Sequence, residues 1–101
     1  MTKEMAALKT AIIERFGTPC AVIDLDVVAR NIVKAQERCN AVALTNRPHI
    51  KTHKSPVLAK LQIAAGAHGI TCQKLGEAEV MADAGITDIM LATNLLRAPG
   101  A

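Results

Sequence analysis

The sequence predicts an α/β fold made of successive strand–helix units with a parallel sheet, and three observations carry that expectation. From Val42 onward, apolar segments of strand length alternate with segments of helix length. Two of those helices end alike, in Ala65-Gly66 and Ala84-Gly85, each followed by a few residues and a new apolar run. The three strand ends are all polar, at Lys51 to His53, Thr71 to Gln73 and Thr93 to Asn94. In parallel α/β architectures ligands gather at that edge.

Thr2 to Phe16 has Met5, Leu8, Ile12 and Phe16 at helical spacing, with Thr2 able to cap its start and Gly17 to close its end. This N-terminal helix, 1–17, is expected to pack on another element. Thr18-Pro19 breaks the pattern and opens a short apolar strand, Cys20 to Leu25. Asp26 is expected to cap a second helix running to about Cys39, with Val28, Ile32, Ala35 and Cys39 on its buried face. Asn40 tolerates the left-handed conformation and can end it.

Val42 to Leu44 is apolar and Thr45-Asn46 signals a turn. Arg47-Pro48-His49-Ile50-Lys51-Thr52-His53-Lys54 then concentrates three cations and two imidazoles in eight residues. If extended, it points His49, Lys51 and His53 to one face and Ile50 and Thr52 to the other. Ser55-Pro56 reads as an N-cap followed by a proline at the first helical position. A third helix is expected over Val57–Ala65, with Leu58, Leu61 and Ile63 among its apolar residues. Gly69 to Gln73 is the next strand, in which Thr71 and Gln73 alternate with Ile70 and Cys72. A fourth helix spans Gly76 to Ala84, and Asp88 to Ala92 is the last strand. Lys74, Glu77 and Glu79 read as a solvated face with glutamates favourably placed at the helix start. Leu95 to Ala101 begins another turn.

Composition narrows the function classes. The chain has 101 residues, a net charge of +3 and a single aromatic residue, Phe16. Without aromatic platforms, an arginine-rich run or zinc-finger spacing, the charge is not a nucleic-acid signature. Cys20, Cys39 and Cys72 are widely spaced and form no CxxC pair, so they read as buried or half-buried thiols of a reducing compartment. No signal peptide or membrane span is evident, and the expectation is a soluble, cytoplasmic protein. Three parallel strands cannot close a barrel, which takes eight. The chain is thus expected to be the front part of a larger α/β protein, or a truncated product.

The basic stretch admits several uses. A lysine turned toward an apolar interior beside imidazoles loses its charge more readily and becomes a nucleophile toward carbonyls. The plain alternative is a solvated turn with Lys51 in water. Two histidines without an adjacent carboxylate are too few for a metal site. An anion site is easier to build, from Lys51, Lys54 and the backbone N–H groups at the Ser55 helix start.

Two sets of residues also carry a family resemblance, covering roughly Thr18 to Asn94. Thr18-Pro19, Val22-Ile23-Asp24-Leu25-Asp26 and Arg30-Asn31-Ile32 resemble the opening of the fold-type III pyridoxal-phosphate enzymes related to alanine racemase. Arg47 to Lys54, Ala64-Ala65-Gly66-Ala67, Lys74-Leu75-Gly76-Glu77-Ala78-Glu79-Val80 and Ala84-Gly85-Ile86 resemble one branch of them. That branch holds the D-threonine aldolases, D-3-hydroxyaspartate aldolases and metal-activated D-serine dehydratases.

The resemblance implies that 18–101 is the first part, about three βα units, of a (β/α)8 TIM barrel of the alanine racemase N-terminal type. It further implies that later barrel strands and a C-terminal β domain are absent from this chain. It implies a lyase of D-β-hydroxy amino acids, either retro-aldol cleaving D-threonine-like substrates or dehydrating D-serine, with Lys51 holding pyridoxal 5'-phosphate as an internal aldimine. His49, His53, Thr71 and Gln73 are the accompanying cofactor-binding candidates. A divalent metal, Zn or Mn, is implied for the full-length family with no ligand in this chain, as is a homodimer at full length. Gln73-Lys74 and Thr93-Asn94 lean slightly toward the aldolases. This chain alone is expected to be inactive; a non-catalytic fragment and a racemase-like member of the same fold are the alternatives.

Overall fold

The computed structural model describes residues 1–95. The turn expected over Leu95 to Ala101 lies outside them except for Leu95. Four helices and two strands follow in the order α1 (Lys3–Phe16), α2 (Leu25–Ala41), α3 (Pro56–Ala64), β1 (Ile70–Cys72), α4 (Leu75–Asp83) and β2 (Ile89–Leu91). β1 and β2 are parallel, with Ile70 opposite Ile89, Thr71 opposite Met90 and Cys72 opposite Leu91. A single parallel bridge joins His49 to Thr71 on the other edge of β1. It is made by Ile50 N–H donating to the Thr71 carbonyl at 3.0 Å and Thr71 N–H to the Pro48 carbonyl at 2.8 Å. The expected strand–helix–strand–helix–strand order therefore holds, with β1 in the middle and its first neighbour reduced to residues 48–50.

Hydrophobic burial explains which face the helices cover. Ile50, Ala59, Ile70, Cys72, Met81 and Ile86 form one buried cluster, flanked by Ile63, Ala78, Ile89 and Leu91. Those residues come from the sheet, α3, α4 and the turn before β2, so both crossover helices lie on one side. His49, Thr71 and Met90 are paired across the strands and, by alternation, face the opposite side.

Several expected boundaries shift for local reasons. Asp24, not Asp26, caps α2: its Oδ1 accepts from Asp26 N–H at 2.9 Å and Val27 N–H at 3.3 Å. The helix thus begins inside the segment expected to be a strand. Cys20 to Asp24 has no neighbouring strand among the described residues and forms no ladder; Val22 and Ile23 are exposed. α2 ends at Ala41 with Val42 as its C-cap, and Ala43 rather than Asn40 takes the left-handed conformation, at φ 55°.

The face that α2 buries is also different. Ala35 is exposed, Val28, Ile32 and Cys39 are half-buried, and the buried residue is Gln36. Its amide donates to Asn40 Oδ1 at 3.0 Å and accepts from Asn46 Nδ2 at 3.2 Å. A Cβ on Gly66, which has φ 120°, would come within 3.3 Å of the Gln36 side chain. The niche exists because residue 66 has no side chain.

α1 has the predicted cap, with Thr2 Oγ1 accepting from Met5 N–H at 3.1 Å, yet it buries no residue. Met5, Leu8, Ile12 and Ile13 line an open apolar groove of about 310 Å³ with Cys20 and Val22. The radius of gyration is 17.4 Å, against about 13 Å for a compact domain of about 100 residues. Among the described residues no helix is long and apolar enough to cross a membrane.

Candidate active site

The basic stretch separates into two ends. Arg47 turns to the N-terminal side of the sheet, where its Nη1 donates to the carbonyls of Ile70 at 3.1 Å and Asp88 at 3.3 Å, and its Nη2 pairs with Asp88 Oδ1 at 2.7 Å. His68 Nε2 lies 3.2 Å from the other Asp88 oxygen. Arg47 therefore locks the entries to β1 and β2 together and takes no part in the opposite edge.

At the C-terminal edge the extended reading fails after Ile50. Residues 51–53 form a turn, closed by Lys54 N–H donating to the Ile50 carbonyl at 2.8 Å, with Lys54 in the left-handed region at φ 53°. Strand alternation thus applies to His49 and Ile50 but not to Lys51 and His53. Lys51 is exposed instead of facing an apolar interior. Its N–H donates to His49 Nδ1 at 3.1 Å, which leaves the neutral imidazole's proton on Nε2.

His53 is committed to α3. Its Nδ1 accepts from Ser55 N–H at 2.9 Å, so Nε2 carries the proton and donates to Gln62 Oε1 at 3.1 Å. Ser55 Oγ in turn accepts from Leu58 N–H at 3.2 Å. The expected anion site at this helix start is therefore largely occupied by the protein's own acceptors. Lys54 is taken as well, since its Nζ donates to Glu77 Oε1.

Glu77 is the residue that sequence reasoning misplaced. It is buried, not solvated. Its Oε2 accepts from Gln73 N–H at 2.9 Å and Lys74 N–H at 3.2 Å, completing the cap of α4. The Lys54 ammonium, then the Gln73 N–H, hold its carboxyl down to about 2. The available signal was its place three residues after Lys74, where a glutamate reaches back to the N-cap amide. Next to it, burial and then the Glu77 charge push the Cys72 thiol up, as suits an inert core sulfur. Cys39 is half-buried, whereas Cys20 is exposed.

Thr71 is buried beside His49. The Gln73 side chain is exposed, and only its N–H is engaged. Of the three cations in the basic stretch, two are paired with carboxylates. Lys51 Nζ makes no ion pair or hydrogen bond with the described residues. A primary amine is thus presented to solvent from the turn at the C-terminal edge of the parallel strands, two residues after His49, whose strand position pairs with Thr71. Among the described residues no group of three or more His, Cys, Asp or Glu is placed to hold a metal ion.

The fold is shared with solved D-threonine aldolase and D-threo-3-hydroxyaspartate dehydratase structures, of which this chain aligns with about a fifth. The chain superimposes on D-threonine aldolase from Filomicrobium marinum with a TM-score of 0.77 and 41% identity, covering 79% of this chain and 22% of that one. With D-threo-3-hydroxyaspartate dehydratase from Delftia sp. HT23 the TM-score is 0.76, over 78% of this chain and 21% of that one.

The sequences agree with the structures. The chain is 51% identical over 78 residues to the Delftia dehydratase, covering 77% of this chain and 20% of that protein. It is 45% identical over 83 residues to 3-hydroxy-D-aspartate aldolase of Paracoccus denitrificans, covering 81% of this chain and 21% of that protein. No protein-family model matches. The resemblance to the D-threonine aldolase and D-serine dehydratase branch is thus a homology, and the chain spans about a fifth of the length of the curated relatives it matches.

Proposed function

We propose that this chain is the cofactor-anchoring part of a pyridoxal-phosphate-dependent lyase of D-β-hydroxy amino acids, with Lys51 as the residue that holds the cofactor covalently. Residues 18–101 are read as the first βα units of a (β/α)8 barrel, with 1–17 a separate helix outside it. One observation carries the reading. Lys51 Nζ is the amine of the basic stretch that no carboxylate among the described residues neutralises, and it stands at the strand edge where α/β ligands bind.

The residues present fit a covalent anchor better than a phosphate cradle, because Ser55 and His53 already use N-terminal amides of α3. When bound, the cofactor supplies a sink for the electrons left on the substrate's α-carbon. The free amine of Lys51 Nζ would serve as the base. For dehydration it takes the α-proton; for retro-aldol cleavage it takes the β-hydroxyl proton. His49 and Thr71 share the sheet face beside it and contribute polar contacts. His53 and Gln73 belong to the same proposed site, where His53 fixes the helix start and Gln73 presents its side chain at the next strand end.

The proposed divalent metal, Zn or Mn, draws its ligands from outside this chain. One solved mutant of a D-threo-3-hydroxyaspartate dehydratase is in a metal-free form. The substrate is a small D-amino acid, the full-length assembly a homodimer, and the chain alone does not turn over.

The test replaces the 78 matched residues of the Delftia dehydratase with the corresponding residues of this chain. The hybrid should act on D-3-hydroxyaspartate, D-threonine or D-serine, with glycine plus an aldehyde marking an aldolase and a keto acid plus ammonia a dehydratase. Lys51→Ala in the hybrid should abolish activity. Turnover that survives Lys51→Ala would overturn the assignment.

A further inference from the structure

Lys51 is placed by its backbone alone, since its own side chain holds nothing among the described residues. The turn that carries it includes a non-glycine residue in the left-handed region, Lys54 at φ 53°. Such a conformation persists only where surrounding contacts over-determine it. Two contacts do so here: Lys54 N–H on the Ile50 carbonyl, and Lys54 Nζ on the buried Glu77. The same carboxylate accepts the amides of Gln73 and Lys74, which leave β1. One side chain therefore joins the turn after residues 48–50 to the turn after β1.

We propose that the Lys54–Glu77 pair is a positioning device that holds the Lys51 turn against the β1–α4 junction, keeping Lys51 beside His49 and Thr71. Glu77 and Lys54 act through the backbone and touch no reacting atom. The inference rests on the reading of Lys51 given above. Without the pair, the strained residue relaxes and Lys51, already exposed, loses its fixed place and becomes comparable with Lys9 on α1.

The experiment treats the chain with pyridoxal phosphate, reduces with borohydride and maps the modified peptides by mass, reporting the ratio of label at Lys51 to label at Lys9. The native chain should favour Lys51. Glu77→Gln and Lys54→Met should lower the ratio by about two- to fivefold, the range that a partly exposed ion pair supplies. Lys54→Arg, which keeps the charge and reach, should hold it near the native value. Far-UV circular dichroism reports folding, and Lys54→Met, whose head group is half in solvent, keeps the test open if Glu77→Gln does not fold.

An unchanged ratio in a folded Lys54→Met chain overturns the proposal, as does a Lys54→Arg ratio as low as that of Lys54→Met. A native chain with no preference for Lys51 overturns the cofactor-anchor reading and this proposal with it. That outcome is distinct, because it appears before any variant is compared.

Discussion

Replacing Gly69 with alanine tests how the N-terminal edge of the sheet is held. An added Cβ would stand 2.5 Å from the Asp88 carbonyl oxygen, 2.7 Å from Arg47 Nη1 and 2.8 Å from Asp88 Cγ. None of these atoms is the loose end of a side chain. The carbonyl accepts from Ile70 N–H at 3.0 Å, and the guanidinium is pinned to two carbonyls and a carboxylate. Relief requires β2's entry to move away from β1 or Arg47 to be expelled. Overpacking costs about 1–3 kcal/mol, and losing a charged donor from the Ile70 carbonyl about 1.5–3 kcal/mol. Arg47 and Asp88 are 25% and 48% exposed, so the lower part of each range applies and the expected loss is about 3 kcal/mol.

Urea unfolding followed by far-UV circular dichroism reads this as a lower midpoint with an unchanged slope. Gly76→Ala is the matched control. Nothing lies within 4 Å of its added Cβ, and helix propensity should raise stability by up to about 1 kcal/mol. A Gly69→Ala chain within about 0.5 kcal/mol of the native one would refute the close-approach argument.

Two further expectations concern acid and backbone strain. Glu77 sits at about 2 against an ordinary 4.5, so the stability it contributes is fully present above the unfolded value and lost as pH falls from about 4.5 toward 2. Acid titration of the Glu77→Gln chain should show a flatter loss over that window; a limb as steep as the native one would be inconsistent with the pairing. Ala43 has φ 55° at the end of α2, where an L-residue costs roughly 1–2 kcal/mol, partly offset by glycine's greater chain entropy. Ala43→Gly should therefore raise the thermal midpoint, corresponding to about 0.5–1 kcal/mol, and a lowered midpoint would show that the strain is illusory.

Local patterns with one physical cause were legible in the sequence. Ser55-Pro56 could only start a helix, and the Ala-Gly closures placed α3 and α4 and their strands to within a residue or two. Ladder formation was less legible, because it depends on a partner elsewhere in the chain. Cys20 to Leu25 looks like a strand and finds no neighbour among the described residues, while 47–54 looks like one long strand but turns after Ile50. Polar burial was the least legible. Gln36 is buried because Gly66 leaves room and Asn40 and Asn46 satisfy its amide, facts that no helical periodicity contains. At the site, the relevance of Lys51 could be read from type and spacing, but the partners that remove Arg47 and Lys54 from consideration, Asp88 and Glu77, lie 41 and 23 residues away.

The parallel ladder ends at β2, whose outer backbone groups meet no further strand among the described residues. Met90 on that strand is half exposed, and among the described residues the helices α3 and α4 cover the face opposite to the one it shares with His49 and Thr71. A bare edge of this kind is a template for a strand from another chain. Where such pairing occurs, protein concentration becomes a thermodynamic variable in the same sense as urea or pH. Unfolding midpoints and labelling ratios acquire meaning only when extrapolated to dilution.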